Sequence, residues 1–127
     1  MTSFVLDASA LLALLNEEAG KERVALAVGD CAISAVNYCE VIGKLIDAGV
    51  SDDVARDAVD LLDVEIVSFD EDLAFRAASI KPSTRKLGLS LGDRCCLALG
   101  KARNATILTS DRSWTKLKTD VRIEMIR

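Results

Sequence analysis

The chain opens on two apolar runs separated by one acid. Phe4-Val5-Leu6 has the length of a short buried strand, and Ala8 to Leu15 is apolar on most sides, as a buried helix would be. Asp7 lies between them. The same alternation continues. Lys21 to Val28 has a helical pattern, and Cys31-Ala32-Ile33-Ser34 reads as a strand. Val36 to Ala48 reads as a helix with Cys39, Ile42, Leu45 and Ile46 on its apolar spacing, closed by Gly49. Ser51 caps a helix running to Leu62. Val64 to Phe69 is the next strand. A helix from Asp70 to Ile80 follows, opened by Asp70, Glu71 and Asp72, which suit the positive end of its dipole. Lys81 to Leu89, with the only proline, reads as a polar loop. Gly92 to Ala102 is an apolar helix and Thr106 to Thr109 a strand. A short helix from Arg112 to Leu117 and a strand from Val121 to Ile126 complete the pattern. Strands alternating with helices predict an α/β fold with a mainly parallel central sheet, here as one domain over residues 1–127.

Four acids stand out against this pattern. Asp7 follows the first strand, and Asp111 follows the strand TILT in the same way. Asp93 lies in the first turn of a buried-looking helix, and Glu40 one turn into another. In an open parallel sheet the carboxyl ends of the strands form the rim where ligands bind, and all four can reach it. Each acid also has a plain structural role available. Asp7 and Asp111 suit N-caps, Ser90 to Asp93 suits a capping box, and Glu40 with Lys44 suits an i, i+4 ion pair. Together, bordered by apolar sequence, they are harder to assign to structure alone. Two carboxylates ~4 Å apart repel by about 4 kcal/mol at an effective dielectric near 20. A cluster of them calls for protons or a divalent cation, and hard oxygen donors favour magnesium or manganese.

Composition narrows the chemistry further. The chain has 127 residues, half of them hydrophobic and 28% charged, enough for a folded core. It has no histidine. That removes the commonest general base and every Ser-His or Cys-His nucleophile. Cys31, Cys39, Cys95 and Cys96 form no zinc pattern and are expected as reduced core residues. No apolar run reaches the ~18 residues that cross a membrane. Met1-Thr2-Ser3 lacks the basic stretch of a signal peptide, so a cytoplasmic address is expected. Twenty acids against sixteen bases give a net charge of −4, which disfavours broad nucleic-acid binding and suits a basic partner.

In order and spacing, these segments resemble PIN domains, and within them the VapC-type toxins of bacterial toxin–antitoxin pairs. The resemblance is carried by FVLDASALLALL, ISAVNYCEVIGKL, LSLGDRCCLALGKARNATILTSDRSW and VRIEMIR, nearly the whole chain. The family's acids fall on Asp7, Glu40, Asp93 and Asp111, and its hydroxyls on Ser9 and Thr109. The resemblance implies a three-layer α/β/α fold and a metal-dependent endoribonuclease that cuts RNA with metal-activated water. Asp7 and Asp93 would be the principal ligands for Mg2+ or Mn2+, with Glu40 and Asp111 binding a second ion or orienting water. Ser9, Thr109 and Asn37 would hold the carboxylates in place, although Asn37 also suits a helix cap. The family further implies a small antitoxin partner and a homodimer.

Two other readings stay open at this level. One is a receiver-like phosphoacceptor domain using Asp70 and Lys81, which lacks the paired acids expected after the first strand. The other is a non-catalytic interaction module whose acids are only caps. For RNA contact, the loop KPSTRKLG supplies Lys81, Arg85 and Lys86, with Arg94 and Arg112 expected nearer the scissile bond.

Overall fold

A computed structural model describes residues 2–127. Met1, part of the stretch read as lacking a leader's basic residues, lies outside them. The elements run β1 (Phe4–Leu6), α1 (Ala8–Leu15), α2 (Lys21–Ala27), β2 (Cys31–Ser34), α3 (Ala35–Asp47) and α4 (Asp52–Asp60). They continue with β3 (Val64–Val67), α5 (Glu71–Ser79), α6 (Lys81–Thr84), α7 (Leu91–Ala102), β4 (Thr106–Thr109) and β5 (Ile123–Met125). All five strands pair in parallel, in the order β3-β2-β1-β4-β5.

The sheet is covered on both faces, which is why its inner strands read as continuous apolar runs. Successive side chains of β1 point to opposite faces. Leu6 joins Leu11, Val24, Ile33, Val41 and Leu108 in a core under α1 to α4. Val5 joins Leu73, Cys96, Leu99, Ile107 and Trp114 in a second core under α5 and α7. The result is a three-layer α/β/α sandwich. The chain builds outward from β1 in one direction to β2 and β3, then returns to place β4 on its other side. The junction of β1 and β4 is therefore a topological switch point, where the carboxyl ends of the strands leave a crevice.

Three expectations are corrected. The segment Lys81 to Leu89 is mostly helical: α6 is followed by a 3-10 turn, Arg85–Leu87, closed by Gly88 at φ 63°. Pro82 sits in the first turn of α6, where a missing N–H costs nothing and a fixed φ helps. Thr84 is buried and donates its hydroxyl to the Ile80 carbonyl at 2.9 Å. The second correction is to α3, whose inward line is Asn37, Val41 and Leu45; Ile46 is 45% exposed. The inward line was obscured because a polar residue begins it. For the same reason Cys39 is exposed rather than in the core, while Cys31, Cys95 and Cys96 are buried.

Candidate active site

Asp7 follows β1 directly and caps α1. Its Oδ1 accepts the Ala10 N–H at 2.9 Å and the Ser9 hydroxyl at 2.7 Å, and its Oδ2 accepts the Thr109 hydroxyl at 2.5 Å. The Thr109 oxygen also accepts the Asp111 N–H at 3.0 Å, and the Ser9 oxygen accepts the Ser110 N–H at 3.0 Å. Two hydroxyls thus lock the end of β1 to the end of β4. Asp7 is only 6% exposed. Burial raises its carboxyl above the ordinary value; the bonds from Thr109, Ser9 and Ala10 oppose the rise, and the charge of Asp93 adds to it.

The opposite wall comes from α3 and α7. Asn37, fully inside, donates its amide to Glu40 Oε1 at 2.8 Å and to the Gly92 carbonyl at 3.0 Å. The Glu40 carboxylate rests where a side chain on Gly92 would be, so only glycine leaves it room. Ser90 and Asp93 form the reciprocal capping box, at 3.0 and 3.1 Å. Asp111 caps the turn after β4, accepting the Ser113 N–H at 3.0 Å and its hydroxyl at 2.7 Å.

Three acids are therefore caps, as the sequence permits. The fourth plain role fails: among the described residues Glu40 forms no ion pair with Lys44. Capping does not exhaust the carboxylates. Asp93 Oδ1, Asp111 Oδ2 and Glu40 Oε2 accept no hydrogen bond among the described residues.

Asp7, Glu40, Asp93 and Asp111 all line one open cleft of about 500 Å³, with Ser9 and Asn37. The buried Cys96 thiol lies beneath it. Burial first, then the charges of Asp7, Asp93 and Glu40, hold that thiol well above its usual range. Lys44, Glu18 and Arg127 also line the cleft. Glu18 lies in a loop that carries no motif, and Arg127 closes the segment VRIEMIR without being one of the residues the resemblance assigns to the site.

The cations expected to contact RNA do not line the cleft, although Arg94 and Arg112 directly follow its Asp93 and Asp111. Arg85, Lys86, Arg94 and Arg112 are not among the lining residues. Arg94 is turned away, donating to the Ala77 carbonyl at the end of α5 at 3.0 Å. Arg112 donates to the Arg127 carbonyl at 2.6 Å. Asp70 caps α5 through the Leu73 N–H at 2.9 Å and is also outside the cleft.

The family model of the PIN domain matches residues 4–119. The chain belongs to the PIN-domain family. Among solved structures, this PIN domain is similar in fold to the DNA-bound VapBC of Salmonella typhimurium: 19% identity, TM-score 0.79, all of both chains covered. It is similar to a toxin–antitoxin complex from Klebsiella pneumoniae (19% identity, TM-score 0.76, 98% of each chain). It also resembles Mycobacterium tuberculosis VapC20, a sarcin-ricin-loop-cleaving toxin (18% identity, TM-score 0.72, 94% of this chain and 99% of that one). Among curated proteins, none matches the chain.

The donor set of this PIN domain fits a hard divalent cation. It is all oxygen, with three carboxylate oxygens spare and one buried acceptor, Asn37 Oδ1, without a partner. Among the described residues no three acids or thiols stand close enough to form a ready-made cage. Magnesium does not need one, since it keeps several waters and takes one or two protein carboxylates.

Proposed function

We propose that this PIN domain is a divalent-metal-dependent endoribonuclease and the toxin of a VapC-type toxin–antitoxin pair. The observation that carries the reading is the cleft at the switch point, which four acids line together with oxygen donors from Ser9 and Asn37. Asp7 and Asp93 would hold Mg2+ or Mn2+, and Glu40 and Asp111 would take a second ion or orient water. A bound cation would relieve charge on the phosphate and make an attacking water more acidic. Ser9 and Thr109 fix both oxygens of Asp7 so that its carboxylate cannot swing away. Asn37 holds one oxygen of Glu40, leaving the other free, and ties it to the head of α7. The likeness to VapBC assemblies and to a sarcin-ricin-loop-cleaving VapC supports an antitoxin partner and a nuclease activity. A net charge of −4 suits a basic partner.

The receiver-like reading finds no support, because Asp70 is an N-cap outside the cleft. The test is cleavage of total RNA by the purified chain, with chelator and then with magnesium or manganese restored. The expected products carry 5′-phosphate and 3′-hydroxyl ends, since a chain without histidine lacks the usual catalysts of attack by the 2′-hydroxyl. Cleavage that persists in chelator, or 2′,3′-cyclic phosphate ends, would overturn the proposal.

A further inference from the structure

RNA must bring a string of negative charges into a cleft lined by five acids, Asp7, Glu18, Glu40, Asp93 and Asp111, on a protein that is itself anionic. Of its sixteen basic residues, two line that cleft: Lys44 on α3 and Arg127 after β5. Neither forms an ion pair with a carboxylate among the described residues. Their charge is not consumed by the acids beside them.

Arg127 is held in place. Its guanidinium donates to the Ala19 carbonyl at 3.0 Å, and its own main-chain oxygen accepts from Arg112 at 2.6 Å. The approach depends on Gly20, at φ 94°, where a Cβ would lie 2.7 Å from the Ile126 carbonyl oxygen. Arg23 adds a second tie from α2 to β5 through Glu124, with its longer contact at 3.2 Å. One guanidinium nitrogen of Arg127 is used in this anchoring, and the planar group keeps further donors of the kind that match phosphate oxygens. Lys44 stands one helical turn beyond Glu40, a point charge on a flexible stem.

We propose that Lys44 and Arg127 are the substrate-gripping cations of the site, each binding a backbone phosphate of the RNA beside the acid cluster. This rests on the endoribonuclease reading and replaces Arg85, Lys86, Arg94 and Arg112 as the principal phosphate contacts. The anchored Arg127 sets the register of the strand, and Lys44 follows it on the facing wall.

The test is the steady-state cleavage of a single-stranded RNA across a salt series by the full chain. Lys44→Gln and Arg127→Gln are each expected to raise KM about tenfold, with kcat changed less. Each should also flatten the dependence of log(kcat/KM) on log[salt] by about 0.7, the loss of one phosphate contact. Arg127→Lys and Lys44→Arg keep the charge and should restore most of the salt dependence. Arg56→Gln, on α4 and outside the cleft, should behave as the parent does. If the glutamine variants melt as the parent does and keep its KM and salt slope, the inference is overturned. If Arg127→Gln melts early, Lys44→Gln and Arg127→Lys decide by the same two readouts. A parent that cuts no RNA would instead overturn the function on which this rests.

Discussion

Asp7 does two things that conflict in energy. It caps α1, and it places a carboxylate where water scarcely reaches. Burial lifts its folded-state pKa above the ordinary 3.8. Below that value the carboxyl is protonated both folded and unfolded, and the shift has no effect. As pH rises past it, the unfolded chain ionises first, so stability falls until the folded carboxyl has ionised too, and stays lowered above that. Asp7→Asn removes this penalty and keeps a good cap. Without added metal, the variant should therefore melt above the parent near pH 7, and the gap should close below about pH 4. Thermal denaturation across a pH series checks this; cleavage should be lost throughout. Thr109→Val acts the other way. It deletes a donor to a buried carboxylate, which costs roughly 2 kcal/mol. Denaturant unfolding at neutral pH should show that loss.

The joint of α3 and α7 is where an element's form and the site's chemistry depend on each other. Gly92→Ala favours a helix by about 1 kcal/mol, yet its methyl would occupy the space of the Glu40 carboxylate. A melting temperature no lower than the parent's, with kcat at least tenfold lower, is the expected pair of results. Equal kcat would mean that Glu40 does not act from that position. Most of these elements are legible in the sequence because their caps are local. Ser34, Ser51, Asp70 and Ser90 each accept a hydrogen bond from the backbone within three residues, so a short window contains the whole signal. What was hidden depends on distant partners. Asn37 reads as a helix-start residue until Gly92, 55 positions away, accepts from its amide. The face of α3 was misjudged because Cys39 and Ile46 look as apolar as Val41 and Leu45, and only packing distinguishes them. Arg94 has no local partner, and its turn onto α5 could not be read from its neighbours in sequence.

The molecule as a whole brings its acids together by strand order. Asp7 and Asp111 are 104 positions apart, yet β1 and β4 pair in parallel with Leu6 opposite Leu108, so both chains leave the sheet side by side. The four acids could be picked from the sequence because each stands at the end of a strand or the start of a helix. The cations were harder to place: Lys44 reads only as an ion-pair partner for Glu40, a role it does not take, and Arg127 meets the cleft only through the sandwich. The fold also leaves a groove of about 380 Å³ between α5, α6, α7 and the 117–121 segment, which none of the four site acids lines. If the proposed function holds, the four acids would together form one cation site. Electron paramagnetic resonance of Mn2+ titrated into the chain tests it without relying on catalysis. The parent is expected to bind Mn2+, Asp7→Asn and Asp93→Asn to abolish this binding, and Glu40→Gln and Asp111→Asn to weaken or halve it while all four remain folded. A parent that leaves Mn2+ free in solution, or folded Asp7→Asn and Asp93→Asn variants that bind it as the parent does, would show that these acids do not hold a cation.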